Sequence, residues 1–106
     1  MQPGRLRLIA CAFALSAMAV PAHAATITIT MEKLVISPAE ATAKVGDTIE
    51  LVNKDVLAHT ATARNGDFDV TIPPNKTVTY VLKKAGTVDY YCRFHPNMKA
   101  TLKIEP

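Results

Sequence analysis

What this sequence lacks narrows its function before any motif is considered. No Ser-His-Asp set and no paired carboxylates stand out, so there is no nucleophile-and-base arrangement to read as catalytic. No internal repeat, low-complexity tract or linker divides the chain, and helical periodicity is missing almost throughout. Like charges never run beyond the pair Lys83-Lys84. The twelve Lys and Arg stand against nine Asp and Glu, and two of the cations, Arg5 and Arg7, sit in a short leading segment. The remaining balance is nearly neutral and gives no argument for nucleic acid. Cysteine is scarce, with two in the 106 residues, and histidine occurs three times.

The longest apolar run, Leu8 to Val20, is interrupted by Ser16 and falls short of the roughly 20 residues that span a bilayer. It follows Arg5 and Arg7 and closes on Pro21-Ala22-His23-Ala24. A basic start, a short apolar stretch and a small-x-small ending predict a secretory signal over 1–24, with cleavage after Ala24. The Ala-His-Ala ending argues against a retained anchor. Leu8-Ile9-Ala10-Cys11 has the look of a lipobox, but its cysteine precedes most of the apolar run instead of following it. The expected product is an exported, periplasmic single domain over 25–106, with no membrane insertion. A domain this small gains from a metal or another staple.

Along 25–106, short alternating or β-branched runs are separated by Gly, Pro, Asn and Asp. Ala25 to Met31 alternates strictly, with Ile27, Ile29 and Met31 on one face. Thr48 to Asn53 places Ile49 and Leu51 inward. Val88, Tyr90 and Cys92 share a face, as do Ala100, Leu102 and Ile104. Ala39 to Ala43 is compatible with one helical turn. The pattern predicts an all-β fold, a small two-sheet Greek-key β-sandwich of about seven or eight strands in two packed antiparallel sheets. Cys92 then points into one end of the sandwich.

With Cys11 in the signal, Cys92 is left without an internal disulfide partner and is buried, paired between chains or metal-bound. An inert core thiol is the plain alternative. His59 alone reads as an interior histidine, Met98 alone as core packing and His95, beside Pro96, as a surface residue. Together they change the reading, because Cys92, His95 and Met98 stand three residues apart. One thiolate, two imidazoles and a weak thioether are the ligands of a mononuclear blue-copper electron-transfer site. Zinc competes less well, since structural zinc prefers Cys and His sets.

These residues carry a family resemblance. Val45-Gly46-Asp47-Thr48-Ile49, Asn53, His59, Ala85-Gly86-Thr87-Val88-Asp89-Tyr90-Tyr91-Cys92 and His95-Pro96-Asn97-Met98 together resemble the cupredoxins, most closely the short-loop amicyanin type. The resemblance implies one type 1 copper ion cycling between Cu(II) and Cu(I), held by His59, Cys92, His95 and Met98. It implies that Asn53 ties the ligand loop to the His59 strand and donates its backbone N–H to the thiolate. Phe94 stands where relatives carry proline, so its N–H is expected as a second donor to the Cys92 sulfur, raising the reduction potential. The resemblance also implies an electron port at the His95 edge within an apolar patch of Val56, Leu57, Ala58, Phe94 and Pro96. Lys54, Arg93 and Lys99 are candidates for a basic rim that steers acidic partners.

The expected function is therefore a monomeric periplasmic electron carrier that docks transiently with redox proteins of dehydrogenase or cytochrome type. A copper-delivery protein is the alternative. Multicopper enzymology requires further histidines, and after His23 leaves with the signal only His59 and His95 remain.

Overall fold

A computed structural model describes residues 23–106, so the expected signal, apart from His23 and Ala24, lies outside the described residues. Nine strands follow in order: β1 (Thr26–Glu32), β2 (Val35–Ser37), β3 (Glu40–Lys44), β4 (Thr48–Asn53), β5 (His59–Ala63), β6 (Asp69–Ile72), β7 (Thr77–Val81), β8 (Gly86–Cys92) and β9 (His95–Glu105). They form a four-stranded sheet ordered β2-β1-β4-β7 and a five-stranded sheet ordered β3-β9-β8-β5-β6. The described chain is all-β, as expected.

Two expectations about the sheets need correction. Ala39 to Ala43 is not a helical turn; Glu40–Lys44 is strand β3, which raises the count to nine. Alanine and glutamate are good helix formers, but intrinsic propensity is a small term that tertiary pairing with β9 overrides. Nor are the sheets purely antiparallel, because β1 pairs with β4 and β3 with β9 in parallel. Side-chain alternation dictates which face turns inward, but it is the same for either strand direction.

The core lies where the alternation put it. Ile29 and Met31 of β1, Ile49 and Leu51 of β4, Val88, Tyr90 and Cys92 of β8, and Ala100, Leu102 and Ile104 of β9 are all buried. Phe68 packs between the rings of Tyr80 and Tyr90, and burial pushes the Tyr90 phenol above its ordinary pKa.

The β8–β9 hairpin is the element that shapes the site. Its register is regular from Gly86↔Ile104 to Tyr91↔Lys99, then jumps to Cys92↔His95. The residues skipped on β9 are Pro96, Asn97 and Met98, so the strand bulges there. Arg93 and Phe94 alone form the turn. What reads in sequence as a ligand loop is thus the tip of a hairpin, with Cys92 closing β8 and both His95 and Met98 inside β9.

Leu51 is fully buried between the sheets. Leu51→Ala should cost about 2–5 kcal/mol of stability, read as a lower urea midpoint with an unchanged slope.

Candidate metal centre

His59 opens β5, and Cys92 closes β8; these strands are neighbours in the five-stranded sheet. Both residues are fully buried, and the Cys92 Sγ lies 3.6 Å from His59 Nδ1. The opposite ring nitrogen, Nε2, is 2.7 Å from Asp55 Oδ2. A carboxylate accepts and cannot donate at that position when ionised, so Nε2 carries the ring proton. In the neutral imidazole, Nδ1 then turns its lone pair toward the sulfur. A histidine oriented by a carboxylate on its far nitrogen is a common device of metal sites, because it fixes tautomer and ring angle together.

The sulfur has a second neighbour, the Thr60 N–H, which donates to it at 3.4 Å. Met98 is buried and lies close to His59 and Cys92. His95 is half-buried and meets the His59 ring edge to face, with centroids 5.5 Å apart. Among the described residues no three His, Cys, Asp or Glu side chains are already gathered at metal-holding distance. The preformed part of the centre is the His59–Cys92 pair with Met98, and His95 stands at its mouth.

Asp55 and Thr60 escaped the sequence reading, and both belong to the centre. Asp55 Oδ1 accepts the Lys33 N–H at 2.8 Å, and Oδ2 accepts the Leu34 N–H at 3.4 Å as well as the His59 ring proton. Those two residues form the β1–β2 turn at φ of 54° and 62°, a region non-glycine residues seldom adopt. One carboxylate therefore ties that turn to the buried imidazole. The His59 ring and the Lys33 N–H hold the Asp55 carboxyl below its usual pKa. A histidine four residues after an aspartate was the available signal.

Thr60 does the work expected of Asn53. Its hydroxyl accepts the Arg93 N–H at 2.9 Å, binding the hairpin turn to the His59 strand, while its own N–H reaches the thiol. Asn53 is buried elsewhere. Its side-chain amide donates to the carbonyls of Leu57, Ile72 and Pro73, its Oδ1 accepts the Asp55 N–H, and its backbone N–H goes to Lys76 O. Asn53 shapes the β4–β5 connection that carries Asp55, and among the described residues none of its hydrogen bonds goes to the hairpin or the sulfur. The Phe94 expectation is also corrected, since among the described residues the backbone donor to the sulfur is Thr60. Phe94 is instead an exposed ring beneath the Arg93 guanidinium, 5.5 Å from it.

Of the apolar residues expected around His95, Val56, Leu57, Phe94 and Pro96 are exposed and Ala58 is half-buried. Leu34, not read from sequence, lines one shallow depression together with Phe94, His95, Pro96, Asn97 and Met98. The basic rim is thinner than expected. Lys54 is exposed, but Arg93 Nε donates to Asp69 Oδ1 at 3.2 Å. Lys99, paired across the hairpin with Tyr91, lines a separate depression with Glu40, Arg64 and Asp89. It sits on the flank because its neighbours Met98 and Ala100 both turn inward.

A two-sheet β-sandwich with a buried thiol–imidazole pair at one end is a candidate metal-binding architecture, and comparison with known proteins gives its family. The cupredoxin-like domain family matches residues 5–104. The methylamine utilization protein MauL of Methylorubrum extorquens is 35% identical over 104 residues, covering 94% of this chain and 91% of that protein. The amicyanin structure from Paracoccus versutus aligns with a TM-score of 0.65 at 28% identity, over 81% of this chain and 85% of that one. A reduced amicyanin point variant aligns at 0.64 and 26%, over 76% and 82%. This chain belongs to the cupredoxin-like family, whose members bind copper and transfer electrons and are not enzymes.

Two substitutions test the supports. Thr60→Val keeps the N–H to sulfur but strands the Arg93 N–H, and should lower stability of the metal-free protein by about 1–3 kcal/mol in urea unfolding. Asp55 has a depressed folded pKa, so its contribution is full above the unfolded value of about 3.9 and is lost as pH falls through the folded one. Asp55→Asn should therefore flatten the acid side of the melting temperature–pH curve below about pH 4.

Proposed function

We propose that this protein is an exported one-electron carrier that holds a single type 1 copper ion with His59, Cys92, His95 and Met98. The observation that carries the reading is the buried pair, Cys92 Sγ 3.6 Å from His59 Nδ1, in a chain of the cupredoxin-like family. The residues fit the metal. The sulfur is shielded from water, the neutral imidazole turns an unprotonated nitrogen toward it, and a thioether lies alongside, a donor set suited to copper in both oxidation states. Bound copper would supply a one-electron Cu(II)/Cu(I) couple.

The chain's own residues do the rest. Asp55 holds the His59 ring in one tautomer and angle, so ligand movement between oxidation states is small. The Thr60 N–H favours negative charge on the Cys92 sulfur. His95 is the ligand nearest solvent, and the exposed apolar side chains of Leu34, Val56, Leu57 and Phe94 around it offer a small docking face. Such a face suits a transient complex with a redox protein of dehydrogenase or cytochrome type. The resemblance to a methylamine utilization protein is consistent with a dehydrogenase as donor. Export follows from the signal reading of 1–24, which places the carrier, as a monomer, in the periplasm.

Titrating Cu(II) into the purified protein should produce an intense visible thiolate-to-copper band that saturates at one equivalent. Ascorbate should bleach it, and Cys92→Ser should abolish it. A pale spectrum with tight copper binding would overturn the electron-carrier reading in favour of copper delivery.

A further inference from the structure

At the end of the sheet remote in sequence from the ligands, Asp47 closes the β3–β4 turn with only 7% of its surface exposed. Its Oδ1 accepts the Ala25 N–H at 2.9 Å, and its Oδ2 accepts the Lys44 N–H at 2.8 Å. Among the described residues, no Lys, Arg or His nitrogen reaches it at ion-pair distance. Buried carboxylates are ordinarily paired with a cation, because neutral donors replace only part of the lost hydration. Ala25 is also the residue at which the sequence predicts the processed chain to begin. Its carbonyl already accepts the Thr48 N–H at 2.9 Å, and β1 starts at the next residue. Ala24 and Ala25 are exposed and lie outside any strand.

We propose that Asp47 is the receptor for the processed amino terminus, a site that completes the fold when the signal is removed. The inference rests on the signal reading of 1–24. Hydrolysis by a signal peptidase adds water across the Ala24–Ala25 peptide bond: the Ala24 carbonyl carbon takes the oxygen and leaves as a carboxylate. The Ala25 nitrogen gains protons and becomes an ammonium. That nitrogen is already seated on Oδ1, so processing turns a neutral donor into a cation without moving the chain. Charge-assisted bonds of this kind are roughly twice as strong as neutral ones. Two other charged groups line the same shallow depression, Lys44 and Glu105; one opposes the new charge and the other supports it.

The site has a directional consequence. In the unprocessed chain no cation among the described residues reaches Asp47 at ion-pair distance, with Lys44 acting only from farther off, so it is the less stable form, while the processed chain is locked at the start of β1 and β4. Export and final stability are thereby linked through one carboxylate.

All nine strands lie within 26–105, so the processed chain contains the whole sandwich. The test compares that chain, purified after export, with its Nα-acetylated form, which keeps an N–H at Ala25 but loses the charge. The free-amine form should melt a few degrees higher, and the difference should disappear in Asp47→Asn. Equal melting temperatures, or a difference that persists in Asp47→Asn, would overturn the proposal. Independently of that variant's folding, an amine-acylating reagent should label the Ala25 nitrogen several-fold more slowly in the folded protein than in urea; equal rates would overturn it too. Amino-terminal sequencing separates the two readings. A start other than Ala25 overturns the signal assignment, whereas a start at Ala25 without stabilisation overturns the Asp47 site alone.

Discussion

A thiol buried at the end of a β-sandwich has to be satisfied without water, and much of this molecule is arranged around that constraint. Among the described residues the polar groups at the Cys92 sulfur are those its neighbouring strand brings, the Thr60 N–H and the His59 ring. Each is held by a further bond. Thr60 accepts from Arg93, and His59 is fixed by Asp55, which in turn pins the β1–β2 turn. A chain of polar contacts thus runs from one sheet through the buried pair to the other. Buried polar networks are costly when incomplete and rigidifying when complete, and rigidity is what a carrier needs if electron transfer is to proceed with little rearrangement.

The same network explains the surface. Asp55 holds Lys33 and Leu34 in a left-handed turn, which brings Leu34 to the depression beside His95. Asn53, by gathering three carbonyls and the Asp55 N–H, folds the connection that exposes Val56 and Leu57. The proposed docking face and the proposed metal centre therefore share their supports. Of the expected basic rim, Arg93 is matched by Asp69 and Lys99 lies on the flank.

At the far end of the strands, Asp47 plays a comparable part in a different chemistry. It joins Ala25 to the β3–β4 turn and, with Thr48, anchors the start of the parallel β1–β4 pair that runs the length of the four-stranded sheet. Parallel neighbours have no tight turn between them, so this pair depends on such end contacts for its register.

Much was legible in the chain itself. Alternation identified the buried faces of β1, β4, β8 and β9, because period-two patterning is a local property that survives any pairing. The order Cys92, His95, Met98, with His59 upstream, carried the metal chemistry, since ligand type alone restricts the metal. Strand direction, the parallel pairs and the bulge at Pro96 to Met98 were not legible, because they depend on which strands meet. Thr60 and Asp55 were overlooked and Asn53 misassigned for the same reason: a threonine, an aspartate and an asparagine are ordinary turn and strand residues until folding decides which atoms they face. Sequence by itself determined the all-β class and offered the candidate donor set. Only the tertiary structure decided which neighbours hold those donors, because hydrogen bonds between strands 32 or 33 residues apart exist only once the sheet has closed.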